Sequence, residues 1–392
     1  PATIHIITTT YSDSLSMNKK RTLFLWRFYL ISNYFHIFTL ITILPRNMPT
    51  VNRIAILCLS CIMFCLCCTG QKQPATPSLK VDLENIIELP VDTTRIIHIE
   101  TNDSSLLYDV CLVEKTDNRY FINSRSFIRA FNEKGEYLFD LSGKGQGPTE
   151  YLSMSNLWVE DGNLCLFDKT AQKIMHFSPD GKYLRSDKLG KFKSETGPIN
   201  LFPAPDSSFL SANSYGGDRN VALFSRWNKN LTWQETVTGR YVQSSYVFPD
   251  VCFTDHTHNR LLYWEAMKDT LFCIEADEIR PLYAFDYGEK AIPSSLKEET
   301  FIEKSRFINE NKDKEYAYWA RYFQSAGDTI FFSLGYGQEI LLCKLDENTQ
   351  EVKAYTLVFP NNEYRMLFFL KIIGDELLIE LENLKNPFMN HP

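Results

Sequence analysis

A strand–turn–strand unit with glycine at a fixed place in its turn recurs along this chain and leaves few folds open to it. One unit, residues 120–145, reads YFINSRSFIRAFNEKGEYLFDLSGKG; a second, residues 164–186, reads LCLFDKTAQKIMHFSPDGKYLRS. Each holds an apolar run, a polar turn and a second run ending on an aromatic (Phe131, Phe177). A turn closing on glycine follows (Asn132-Glu133-Lys134-Gly135 and Ser178-Pro179-Asp180-Gly181), then a third run. Glycine suits such turns because it takes positive φ without steric cost. The two glycines stand 46 residues apart.

Looser units follow at 209–237, 260–288 and 329–357, and the final apolar run is FFLKIIGDELLIELENL. Short paired strands repeating at about 40–55 residues fit the blades of a β-propeller better than a sandwich or a single barrel. Some 310 residues divided by about 50 predict an all-β, six-bladed propeller of four-stranded antiparallel blades over 81–392. Helical periodicity is confined to 294–325, rich in helix formers, and predicts a short helical insertion there.

The run FNEKGEYLFDLSGKGQGPTEY resembles the signature of six-bladed β-propeller lipoproteins of Bacteroidota, which are similar to NHL-repeat and TolB-like propellers. The residues that carry it are Phe131, Asn132, Gly135, Gly143, Gly145, Gly147, Pro148, Glu150 and Tyr151, with Asp168 and Gly181 in the next unit. The resemblance spans about 85 to the C-terminus, strongly to about 190. It implies the propeller fold and a lipoprotein start, with no assigned activity.

The N-terminal residues predict a leader rather than part of the fold. The sequence opens at Pro1 without Met, so residues 1–67 read as an upstream extension plus a signal peptide starting at Met48 (48–67). Arg53 precedes the 13-residue run IAILCLSCIMFCL, too short to span a bilayer comfortably. Leu66 and Cys67 before Cys68 make an imperfect lipobox, with Cys68 as the acylated residue; the alternative is an uncleaved membrane anchor. Residues 68–80 read as a flexible tether.

The chain is 44% hydrophobic, 14% aromatic and 23% charged, which excludes a disordered or fibrous class. Its net charge is -7, and residues 1–67 hold six basic residues against one acid, so the body is more acidic still. No nucleic-acid partner is expected without a basic footprint. Beyond the leader, Cys111, Cys165, Cys252, Cys273 and Cys343 are odd in number and widely spaced. No zinc or redox spacing occurs; most sit in strand-like runs where a buried free thiol acts as a small hydrophobe, and disulfides stay open with no pair favoured.

Candidate chemistry is sparse. GKGQG (143–147) matches no phosphate-loop pattern and reads as an inter-blade connection. Asp255, His256 and His258 form a weak metal candidate; on a strand the two imidazoles would share a face. Asp180, Asp269 and Asp346 read as turn acids bonding their own backbone. Trp158, Trp227, Trp233, Trp264, Trp319 and Tyr336 could stack on sugars, although packing between blades is their default role. The expectation is a lipid-anchored protein of the periplasm or outer membrane. It would bind or scaffold a peptide, glycan or protein partner, without catalysis and without a cofactor. The alternative is an NHL-like lyase or lactonase using one divalent cation in the central channel.

Overall fold

The computed structural model describes residues 5–8 and most of 75–383; the longer stretches outside that description are 1–4, 9–74, 214–223, 238–251 and 384–392. The signal region 48–67, Cys68 and most of the tether therefore lie outside the described residues.

The N-terminal strands are β1 (His5–Thr8), β2 (Ser78–Lys80), β3 (Ile87–Pro90) and β4 (Arg95–His98). Five four-stranded antiparallel blades follow in chain order. Blade I is β5 (Val110–Thr116), β6 (Arg119–Ser124), β7 (Phe127–Asn132) and β8 (Tyr137–Asp140). Blade II is β9 (Met154–Glu160), β10 (Asn163–Asp168), β11 (Lys173–Phe177) and β12 (Tyr183–Lys188). Blade III is β13 (Pro198–Pro203), β14 (Phe209–Asn213), β15 (Phe224–Trp227) and β16 (Trp233–Val237). Blade IV is β17 (Cys252–Asp255), β18 (Arg260–Trp264), β19 (Thr270–Glu275) and β20 (Glu278–Asp286). Helix α1 (Phe301–Glu310) comes next, then blade V: β21 (Ala317–Ala326), β22 (Thr329–Tyr336), β23 (Glu339–Asp346) and β24 (Glu351–Val358). The hairpin of β25 (Tyr364–Ile373) and β26 (Glu376–Asn383) ends the described chain.

The expected propeller is present, with a correction to the blade count: five blades are complete rather than six. The sixth position in the ring holds the two-stranded β25–β26 hairpin, and β1 pairs separately with β4. The first strands neighbour one another in a closed ring, β5–β9–β13–β17–β21–β25 and back to β5. Each neighbouring pair of units encloses its own apolar core. Phe121 and Phe177 belong to the core of blades I and II, Trp227 and Phe167 to that of II and III, and Phe323 and Phe332 to that of IV and V. Burying one such side chain contributes about 1.5–3 kcal/mol.

Local sequence explains the turns. Asp117–Asn118 and Asp161–Gly162 join first to second strands with both central residues at positive φ, the geometry that matches strand twist. In the third-to-fourth turn of blade I, Asn132 Oδ1 accepts from Lys134 N at 2.9 Å and Glu136 N at 3.1 Å. Gly181 (φ +80) docks on β8, the outer strand of blade I, and Gly135 (φ +85) docks on β4. A Cβ at Gly181 would lie 2.3 Å from the Phe139 ring in β8, and one at Gly135 would lie 2.2 Å from the His98 carbonyl in β4.

The segment before blade I runs along the outer rim. Strand β2 adds parallel to β20, and β3 adds parallel to β24. Covering these outer strands removes free edges that would otherwise template aggregation.

The expected helical insertion over 294–325 is narrower than its pattern suggested. Only Phe301–Glu310 is α-helical, preceded by single 3₁₀ turns at Gly288–Lys290 and Ser294–Leu296. Residues 317–326 are instead β21, an inner strand. Its buried positions Ala317, Ala320 and Phe323 recur every third residue because two register shifts re-phase the strand, with Trp319 and Tyr322 at positive φ. Spacing of three imitates a helix.

Candidate functional site: the central channel

The inner strands all enter the channel at their N-terminal ends, so the turns to the second strands gather at one mouth. A cavity of about 570 Å³ opens there. All six inner strands reach it, among them Lys115 of β5, Trp158 of β9, Thr254 of β17, Gln324 of β21 and Lys371 of β25.

Glu114, Lys115 and Lys371 of its wall are paired within the protein, while Glu160 stands exposed at the rim. Glu114 is 5% exposed and bonds Lys371 Nζ, joining blade I to the hairpin. Burial lifts the Glu114 carboxyl above the usual range although Lys371 pulls it down. Lys115 Nζ meets Glu376 at 3.2 Å and Glu133 at 3.5 Å. The remaining wall is largely amide, hydroxyl and aromatic. Asn156 Nδ2 donates to the Leu201 carbonyl at 2.7 Å and Thr254 Oγ1 to that of Pro203 at 2.6 Å, each clamping two blades together. The Trp158 indole N–H is buried without a hydrogen-bond partner.

The metal candidate divides. Residues 256–259 form a turn after β17, so the shared strand face expected for His256 and His258 does not exist. His256 lines the cavity. Asp255, fully buried, and His258 sit between blades IV and V with Glu347. There Arg260 fills the space a cation would take. Its Nε donates to Asp255 at 2.8 Å and its Nη2 to Glu347 at 2.6 Å, while Tyr283 donates to Glu347 at 2.8 Å. Burial alone would raise Asp255, but the His258 hydrogen bond and the Arg260 guanidinium outweigh it and hold the carboxyl below the usual range. His258 bridges Asp255 at 2.9 Å and Asp328 at 3.2 Å. This is an inter-blade ionic latch.

The signature residues build a connector at the opposite mouth. Glu150 Oε2 accepts from Gly147 N at 2.8 Å, and a Cβ at Gly145 would lie 2.1 Å from that carboxylate. Gly145 N donates to the Tyr151 carbonyl, and Tyr151 itself is buried against Leu164 and Phe177. Gly143 approaches Glu150 as well, and Pro148 closes the turn. Asp168, fully buried, accepts four main-chain N–H groups, from Leu152, Ser153, Thr170 and Ala171, at 2.9 to 3.2 Å. The glycines serve packing under Glu150, and GKGQG is an inter-blade connection in this geometry.

Of the turn acids, Asp346 bonds backbone N–H groups of Asn348 and Thr349, whereas Asp180 pairs with Lys182 and Asp269 with Lys297. Trp227 is fully buried and donates to Ser211 Oγ at 2.8 Å; Trp264 and Tyr336 are buried too. Trp319 packs under the Arg321 guanidinium, 4.5 Å from ring centre to Cζ. Cys165, Cys252, Cys273 and Cys343 are free and buried, as their strand context suggested.

Residues 80–391 match the family described as Domain of unknown function (DUF4934). The chain belongs to that family. No curated protein matches this DUF4934 chain. Among solved structures it is similar to a Bacteroides fragilis protein described as exported (BF0058). That likeness has 15% identity and a TM-score of 0.53, and covers 78% of this chain and 99% of that one. It is also similar to a DUF4221 family member from Bacteroides vulgatus, at 11% identity and a TM-score of 0.40, covering 73% and 96%. Virginiamycin B lyase from Staphylococcus aureus aligns at 11% identity and a TM-score of 0.38, covering 74% and 85%. The first likeness speaks to the fold alone. No helix among the described residues is long and apolar enough to cross a membrane.

Proposed function

We propose that this protein is an exported, lipid-anchored propeller that binds a peptide or glycan segment in its channel cavity without transforming it. The observation that carries this reading is the cavity wall. Glu114, Lys115 and Lys371 of that wall are paired across blades, leaving amides, hydroxyls, aromatics and aliphatic side chains, with the exposed Glu160 at the rim, for a ligand. Concave sites of this size and mixed lining suit small or extended ligands. A hydrolase or lyase needs acid, base or metal groups converging on one point. Of the two three-ligand groups found among the described residues, Asp255, His258 and Glu347 lie between blades IV and V, whereas Glu160, Cys165 and His176 belong to blade II, and only Glu160 of their members reaches the cavity. A rigid ring presenting a polar mouth favours recognition.

The reading includes a six-bladed ring. Strand β25 borders the channel like the other inner strands, and β4 stands to Gly135 as outer strand β8 stands to Gly181. That parallel supports β25, β26 and β4 as parts of one sixth blade. Export and acylation at Cys68 rest on the apolar run before it; Cys68→Ala that still takes up a labelled fatty acid would remove that part.

The test of the binding reading is a thermal-shift panel of oligosaccharides and short peptides. At least one probe should stabilise the wild type and fail to stabilise Ser325→Trp, which places an indole on the cavity wall. A panel whose shifts are identical in the two proteins would sink the reading.

A further inference from the structure

On one face of blade II, strand register sets Cys165 of β10 opposite His176 of β11, and Glu160 at the end of β9 closes on the same point. Cys165 Sγ lies 3.3 Å from His176 Nδ1 and 3.8 Å from Glu160 Oε2. Cys165 is fully buried and His176 6% exposed, while Glu160 is exposed and opens the cluster to solvent at the channel rim.

The proton count is what makes this cluster unusual. His176 Nε2 faces Asp187 Oδ2 at 2.9 Å, which fixes the ring proton there and leaves Nδ1 as a lone pair. The thiol hydrogen of Cys165 faces two acceptors, the His176 nitrogen and the Glu160 oxygen. A divalent cation in its place would engage all three donors at once.

The geometry suits such an exchange. Ligand bonds of about 2.3 Å to sulfur and about 2.0–2.1 Å to nitrogen or oxygen put tetrahedral ligands about 3.3–3.6 Å apart. The two separations from sulfur, 3.3 and 3.8 Å, fall on either side of the value of about 3.5–3.6 Å for a sulfur–nitrogen or sulfur–oxygen ligand pair. An imidazole whose far nitrogen is held by a carboxylate is the usual outer support of a zinc ligand. Arg185 lies 3.4 Å from His176 Nε2, but its charge is met by Asp187 at 3.0 Å. The Asp255–His258–Glu347 group differs in kind, because Arg260 already supplies its positive charge and its donors.

We propose that Glu160, Cys165 and His176 bind one zinc-type divalent cation, with solvent in the fourth position and Asp187 orienting the imidazole. Binding releases the thiol proton as the metal–sulfur bond forms, and no oxidant or reductant is needed. This inference does not depend on the channel ligand.

The test is metal titration of the full chain with Zn²⁺ against a chromophoric chelator, and with Co²⁺ followed by absorption. Wild type should bind one equivalent more than Cys165→Ser; thiols of the leader contribute equally to both and cancel. Co²⁺ should give a thiolate charge-transfer band absent from Cys165→Ser and diminished in Glu160→Gln. Asp187→Asn should weaken the site about 10–100-fold while keeping the band. Equal stoichiometry and equal spectra in wild type and a folded Cys165→Ser protein would overturn the proposal. So would a Co²⁺ band that survives in Cys165→Ser at full strength.

Discussion

Replacing Asp168 with alanine isolates the contact that ties the glycine-rich connector to blade II. The carboxylate is fully buried and accepts N–H groups from both sides of that join: Leu152 and Ser153 from the connector, Thr170 and Ala171 from its own turn. Hydrogen bonds to a charged acceptor contribute about 1.5–3 kcal/mol each, and stranded buried donors cost a similar amount. The exposed turn at Thr170 regains water, and the mutant is spared the cost of burying a carboxylate. The remaining loss is about 3–4 kcal/mol. Asparagine separates charge from shape. Its oxygen can keep the three contacts of Oδ1, whereas its amide would meet the Leu152 N–H donor to donor, a loss of about 1–2 kcal/mol. Urea unfolding followed by tryptophan fluorescence, with the slope checked for constancy, measures both variants. A loss under about 1 kcal/mol for Asp168→Ala, or equal losses for the two variants, would refute the reasoning.

Arg260→Met should cost about 3–5 kcal/mol at neutral pH, because it strands Asp255 and Glu347 between blades. The folded Asp255 carboxyl sits below its unfolded value, so its contribution is complete above the unfolded pKa of about 3.9 and fades as pH falls through the folded one. The gap between wild type and variant in urea midpoint should close in the same acid range; a gap independent of pH contradicts the latch. Gly135→Ala should destabilise by about 2–4 kcal/mol and exceed Gly181→Ala, since the first Cβ meets a backbone carbonyl and the second a ring that can turn. Denaturant midpoints in the reverse order would contradict that packing. Burial raises all four described body thiols, Cys165 and Cys273 to about 12. Mass mapping of a thiol reagent at pH 8 should find them unlabelled until urea unfolds the protein, and rapid native labelling would contradict their burial.

The propeller was legible because in blades I and II the second, third and fourth strands are joined by short turns with fixed chemistry, and Gly135 and Gly181 mark them. The first strands were harder to see. They follow connectors of uneven length, and β13 carries proline at both ends, Pro198 and Pro203. Strand β21 was misread as helix because its bulges space buried residues by three. Six blades were expected from length, yet the last unit contributes two strands, and β1 and β4, which pair with each other, lie far away in sequence. At the metal candidate, Asp255 and His258 do come together, through a turn, but His256 lines the cavity instead and Glu347 arrives from another blade. The Cys165–His176 pair was within reach. Pairing Asp168 with Lys173 across the LCLFDKTAQKIMHF hairpin sets those two residues opposite each other. The Glu114–Lys371 contact, 257 residues apart, left no local trace.

The most direct measurement of the channel reading is mass spectrometry of a stabilising oligosaccharide or peptide after long incubation with the protein, alongside its binding isotherm. The account predicts saturable binding that Ser325→Trp abolishes, with the probe recovered at unchanged mass. Cleavage, elimination or ring-opening products that form with wild type and not with Ser325→Trp would contradict it and make the channel an active site.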